Sequence, residues 1–308
     1  MTDGGVTTVT LITLDNHILR LTVDPAQGMN VYAFAVYHRD AWLPIMPAAG
    51  EGGVDLKESS FLMVPYSNRI ENGRFSFGGQ EIQLAYGERH AIHGDVRTRP
   101  WAVEVETDHR IRCRFDSRQH EQVNWPWPFS AEAEYQIDDL TLTSRLRLTN
   151  QGDTAMPAGF GWHPYYSRWL TREGEPVHLQ FQVQGVYPDA HNNRIPSGPA
   201  QPPAPNQDFR TGKPLMPDNF LDICCYGYDG NGSIHWPESG VRVRYNCSAE
   251  CTHLVLYNPA KPYFAVEPVT NANNGVNLLA QGDPTSGVAV LQSGETLAAV
   301  FSTVVELE

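Results

Sequence analysis

His163 lies in Gly161-Trp162-His163-Pro164-Tyr165-Tyr166, and Glu267 in Phe264-Ala265-Val266-Glu267-Pro268. A proline follows each ionisable residue directly. It fixes its own φ and pushes the residue before it towards extended backbone. An imidazole and a carboxylate held stiffly near aromatic surface suit a general acid and a general base facing a small ring-shaped substrate. Each also has a plainer reading. His163 could be a core histidine, and Glu267 could close a salt bridge at a strand end. A glutamate ending an apolar strand is costly to bury unpaired, and desolvation would raise its pKa towards a range useful for base work.

Three other segments carry polar groups with chemical potential. Arg69 stands in Val64-Pro65-Tyr66-Ser67-Asn68-Arg69-Ile70-Glu71-Asn72-Gly73. Its fork of donors suits a hydroxyl pair or a carboxylate, the latter also at an ordinary sheet edge. His90-Ala91-Ile92-His93-Gly94 has a metal-like spacing, but two histidines need a third ligand and an open position, and nothing nearby supplies them. Gly94 permits a sharp turn after His93 and a close approach of backbone to a small molecule. Asp222, in Asn219-Phe220-Leu221-Asp222-Ile223, sits among apolar residues and needs a partner: an arginine, or the hydroxyls of a sugar. Asp222 with Glu267 would also suit glycoside hydrolysis, which their separation would decide. No serine or cysteine nucleophile motif and no phosphate-cradling glycine loop is present.

The elements that must position these groups are strands. Period-two alternation recurs at Leu19, Leu21 and Val23, then at Trp101, Val103 and Val105, and at Ile111, Cys113 and Phe115. It continues in Phe129, Ala131, Ala133, Tyr135 and Ile137, and in Leu142, Leu146 and Leu148, interrupted by Ser144. Val177 to Val183, Val241 to Cys247 and parts of Val288 to Leu307 repeat it. Such strands bury one face and wet the other, as antiparallel sheets do. Turn signals such as Asn72-Gly73, Gly78-Gly79 and Ser293-Gly294 separate them. The expectation is an all-β protein, a large antiparallel β-sandwich with few short helices; Gly53 to Ser60 is one candidate helical turn. Gln184 to Phe220 carries eight prolines, too dense for a sheet interior. It reads as a surface crossover or as a wall of the site. No composition break divides the chain, so residues 1–308 are expected to form one domain.

Composition excludes several classes. The 308 residues include 22 basic and 35 acidic, a net charge of −13, which would repel a phosphate backbone and argues against nucleic acid. No apolar run is long enough to span a membrane, and the first residues lack a secretory pattern, so the cytoplasm is expected. Five cysteines, two of them adjacent, suggest reduced structural thiols rather than a disulfide framework.

Taken together, the segments Val64-Pro65…Asn68-Arg69-Ile70…Gly73, Ile92-His93-Gly94 with Trp101, Met156-Pro157…Gly159…His163-Pro164-Tyr165-Tyr166, Leu221-Asp222 and Val266-Glu267-Pro268 resemble the aldose 1-epimerase (galactose mutarotase-like) family. The resemblance runs from about Asp15 to Val305. It implies a large antiparallel β-sandwich whose concave face holds a sugar. It also implies Glu267 as the base that takes the anomeric proton and His163 as the acid that protonates the ring oxygen. His93 would polarise near that oxygen, while Arg69, Asp222 and Asn68 would hold hydroxyls. No metal and no organic cofactor is implied. The partner would be a monosaccharide, with the protein a monomer or homodimer. Trp162, Tyr165, Tyr166, Trp125 and Trp127 are candidate platforms for the sugar, though most should lie in the core. Asp95 after Gly94 and Tyr166-Ser167 depart from the galactose-specific pattern and leave the sugar open. A phosphosugar enzyme and a non-catalytic sugar-binding module of the same fold stay as alternatives.

Overall fold

Alternation along the chain resolves into two large antiparallel sheets. A computed structural model describes residues 11–50 and 55–308. The first sheet has nine strands, in the spatial order Lys213–Pro214, His178–Phe181, Asn231–Trp236, Val241–Cys247, Thr296–Leu307, Thr141–Asn150, Phe129–Asp138, Arg110–Asp116 and Ala102–Thr107. The second has seven. Six run in the order Gly185–Val186, Leu221–Tyr226, His253–Asn258, Tyr263–Val269, Gly161–Trp162 and Leu62–Met63, and Tyr165–Ser167 pairs with Tyr263–Val269 as well. A four-stranded sheet runs Ile12–Asp15, Leu19–Asp24, Asn30–His38 and Ala41–Met46. The α-helix Gly275–Ala280 is the one such element among the described residues. The helical turn expected at Gly53 to Ser60 does not form over Asp55 to Ser60, and Gly53 and Val54 lie outside the described residues.

The alternation has the expected cause. Phe129, Ala131, Ala133, Tyr135 and Ile137 are buried, while the residues between them are wetter. Across the pair Thr141–Asn150, Leu142, Leu146 and Leu148 are buried too, and Ser144 keeps its inward position opposite Tyr135. Each large apolar side chain so buried stabilises the fold by about 1.5–3 kcal/mol. Both large sheets feed one core: Trp162 of the second meets Phe301 of the first with ring centroids 5.7 Å apart. Trp236 donates from Nε1 to the Ser167 carbonyl across the same interface at 3.2 Å.

Three expectations need correction. Val103 is exposed rather than inward. Its strand, Ala102–Thr107, is the sheet's last, and a bulge between Val103 and Val105 breaks the alternation. Gly94 approaches backbone rather than an open site: with φ +71°, a Cβ there would collide with the Val64 carbonyl. Cys247 and Cys251 are paired as a disulfide with Cα atoms 6.2 Å apart, while Cys113, Cys224 and Cys225 are free and buried. The proline-rich stretch combines both of its readings. It leaves the first sheet after Phe181, joins the second through Gly185–Val186, bridges Val186 to Gln201, and returns through Lys213–Pro214. On the way it walls a cavity beside Leu221 to Cys224.

Candidate active site

Strand register brings His163 to Glu267. Gly161 opposes Val269 and Tyr165 opposes Ala265, so position 163 falls opposite 267. Opposed residues of an antiparallel pair share a face and stand close enough to interact. Between those two paired positions the ladder is interrupted, and Pro164 and Pro268, which have no N–H to give, both fall in the interruption. His163 is held instead from its other side: its N–H donates to the Phe61 carbonyl at 3.0 Å, and the Tyr165 N–H to Ser59 at 2.8 Å. The His163 Nε2 lies 3.1 Å from the Glu267 Oε1. The two residues are 5% and 2% exposed. Among the described residues His163 Nδ1 and Glu267 Oε2 have no hydrogen-bond partner.

The same cross-strand row continues from Glu267 through Val255 to Cys224, and the adjacent row carries Tyr165, Ala265, Tyr257 and Asp222. Asp222 therefore shares the face of the catalytic candidates. Its Oδ2 accepts from the Arg194 Nε at 2.6 Å, so the arginine partner considered from sequence is present. Arg69 differs: among the described residues no carboxylate lies within ion-pair distance of it. Burial lowers its pKa and Asp222 opposes the shift. Asn68 accepts from the Arg69 N–H at 2.8 Å and lies 3.5 Å from its Nη1, so the amide holds the arginine in place. His93 stands edge-on to His163, centroids 5.3 Å apart, and its Nδ1 faces the Ser67 carbonyl at 3.2 Å. His90 is separate and structural: its Nδ1 accepts from the Asn72 N–H. Among the described residues no group of three or more His, Cys, Asp or Glu could hold a metal ion.

Several neighbours escaped the sequence reading. Phe61 stacks on the His163 ring at 4.3 Å, and the Arg97 guanidinium sits 3.6 Å over the opposite partner in this stack, the Phe61 ring. Arg97 is itself fixed by Glu58, to which its Nε donates at 2.6 Å. Of the five aromatics considered as platforms, Trp162, Tyr166, Trp125 and Trp127 are core. Tyr165 alone is half-buried and packs against His163, centroids 4.6 Å apart.

Burial pushes the Glu267 carboxyl well above the usual carboxylate range; Asp222 adds to the shift and Arg69 opposes it. Burial also holds His163 well below the usual imidazole range, reinforced by His93, Arg97 and Arg69. Both shifts favour an uncharged pair sharing one proton. Around pH 5.5 the unfolded pair also binds one proton, on histidine, given reference values of about 6.5 and 4.3. The pair thus contributes little pH dependence to stability there.

His93 and His253 behave otherwise. Burial lowers them to about 3 and about 4 respectively. Both are depressed, so the stability they contribute is present above about pH 6.5 and is lost as pH falls towards their folded values. The slope is about 1.4 kcal/mol per pH unit for each histidine once the unfolded imidazole is protonated. The urea midpoint is expected to drop between pH 7 and pH 5, and His253→Gln should reduce that dependence. A midpoint flat across this range would contradict the assignment.

The fold recurs in solved proteins. A galactose mutarotase-like protein of Clostridium acetobutylicum superposes with a TM-score of 0.83 at 18% identity, covering 97% of this chain and 95% of that one. Galactose 1-epimerase of Lactobacillus acidophilus NCFM superposes at 0.75 with 16% identity, covering 96% and 94%. In sequence, the uncharacterized Escherichia coli K12 protein YphB is 26% identical over 313 residues, 97% of this chain and 99% of that protein. Residues 54–303 match the sequence profile of the aldose 1-epimerase family, and the chain belongs to that family.

Proposed function

We propose that the protein interconverts the α and β anomers of a free aldose by ring opening and reclosure. The observation that carries this reading is the buried His163–Glu267 contact at 3.1 Å, set on a sheet face with Asp222 and within reach of the Arg69 charge. Anomer exchange needs one proton taken and one given at two oxygens bonded to the same carbon. A base and an acid in mutual contact fit that demand, because both sites must converge on one hemiacetal.

The pair's single proton suits both steps. In the uncharged form Glu267 holds it. Transfer along the 3.1 Å contact gives a carboxylate and an imidazolium, the base and acid required. The carboxylate then takes the proton from the anomeric hydroxyl, the C1–O1 bond becomes a carbonyl, and the C1–O5 bond breaks. His163 delivers its proton to O5. After rotation about C1–C2 the same groups run in reverse: His163 recovers the O5 proton, O5 attacks C1 from the other face, and Glu267 returns a proton to O1. His93, uncharged at neutral pH, spends its one N–H on the Ser67 carbonyl, so its other ring nitrogen accepts from a hydroxyl near O5 without competing for the proton. Arg69, which pairs with no carboxylate among the described residues, and the second oxygen of Asp222 hold ring hydroxyls. Asn68 positions Arg69. In this reading the protein is a cytoplasmic isomerase that needs no cofactor.

NMR saturation transfer between anomeric protons, run on a panel of hexoses and pentoses, tests this. At least one sugar should exchange faster with protein than in buffer. Saturable binding with no acceleration for any sugar would instead support the non-catalytic binding module.

A further inference from the structure

We infer that the cavity walled by the proline-rich stretch is a second sugar subsite, which takes a neutral glycosyl substituent on the aldose. This rests on the proposed anomer chemistry and extends it to substrate class. The cavity measures about 450 Å³, within the range of small-molecule sites. Its lining includes Asp222 but none of Glu267, His163, His93 or Arg69, so it adjoins the catalytic groups without containing them. Two links make it continuous with them. Cys224 of its lining lies in the same cross-strand row as Glu267, reached through Val255. Asn273, in the turn that follows the Glu267 strand, also lines the cavity.

The lining has the chemistry of carbohydrate recognition. Phe220, 55% exposed, offers an aromatic face to the apolar side of a sugar ring. Gln201, Gln207 and Asn273 offer amides, each able to donate and to accept. Asn273 is only 4% exposed and its Nδ2 donates to the Arg194 carbonyl at 2.9 Å, which fixes the amide in the wall.

Charge decides against an anionic substituent. The charged residues of the lining are Asp189, Asp222 and Arg194. Arg194 is already committed, to Asp222 at 2.6 Å and to Asp189 at 3.5 Å. The wall therefore carries a net charge of −1, from two carboxylates and one guanidinium, and no uncommitted cation for a phosphate.

Calorimetry on the intact protein tests the subsite with glucose and galactose against cellobiose, maltose and lactose, and with glucose 6-phosphate as the anionic comparator. At least one disaccharide should bind about tenfold tighter than the monosaccharide at its reducing end. Glucose 6-phosphate should gain nothing over glucose. Ala204→Trp, at an exposed position of the lining, should fill the space and erase the tenfold advantage while monosaccharide affinity is kept. Phe220→Ala is a second, milder variant and should weaken the disaccharide alone. Disaccharides that bind no tighter than their monosaccharides, or an advantage that survives Ala204→Trp, would overturn the subsite. Binding is measured independently of turnover: a disaccharide advantage without anomer exchange would overturn the catalytic reading and leave the subsite standing.

Discussion

Glu267→Gln is expected to slow anomer exchange by about 10²–10⁴ on the best substrate, the usual worth of a positioned proton-transfer group. The two side chains have the same shape. An amide can still meet His163 across the 3.1 Å contact and can still fill the buried position, 2% exposed. It cannot accept the anomeric proton. Folding should not suffer, because the glutamate is buried and its charged form is already disfavoured there. The variant therefore separates chemistry from structure. Its urea midpoint should match or exceed that of the wild type, its sugar affinity should persist, and its exchange rate should collapse. Exchange within a factor of two of wild type would remove Glu267 from the mechanism.

The pair that carries this prediction was legible from two local signals, a proline after His163 and a proline after Glu267. Those prolines mark where the strand ladder is interrupted, and the interruption is where the two side chains meet. The strands around them were legible as well, because inward and outward positions alternate along Phe129–Asp138 and its neighbours. Alternation failed where its cause was absent. Val103 lies on an edge strand with a bulge, and among the described residues it stays 44% exposed, so no burial demands an inward side chain.

Partners distant in sequence stayed hidden. Asp222 announced that it needed a partner, but nothing marked Arg194 as that partner, since the proline-rich stretch has no period from which to infer direction. Arg97 and Glu58 are joined 39 residues apart by the path of the loops. The stack of Arg97 on Phe61 and of Phe61 on His163 depends on that path too. Periodicity fixes which way a side chain points on its strand. It does not fix which loop arrives above it.

Arg168 shows how much stability such a hidden contact can hold, and Arg168→Met is expected to lose about 3–5 kcal/mol. The residue directly follows Tyr165–Ser167 and is 1% exposed. Its Nε donates to the Lys261 carbonyl at 2.9 Å, and its Nη2 to Asn258 Oδ1 at 2.7 Å and the Pro259 carbonyl at 3.0 Å. Nη1 reaches the Leu215 carbonyl at 3.3 Å. One guanidinium thus ties the turn between His253–Asn258 and the Glu267 strand to the segment leading into Asp222. Burial lowers its pKa to about 10, so it stays charged at neutral pH, and among the described residues no carboxylate compensates it. Two effects then compete. Methionine removes the desolvation of a buried cation, which by itself would stabilise. It also strands several carbonyl groups that keep their burial and lose their donors, at about 1–3 kcal/mol each. The second effect wins because the acceptors belong to backbone that cannot be replaced with the side chain. Arg168→Lys should fall between, keeping the charge but losing the planar fork. Urea unfolding of the three proteins measures the order. A methionine variant within about 1 kcal/mol of wild type would mean that the turn finds other donors, water included.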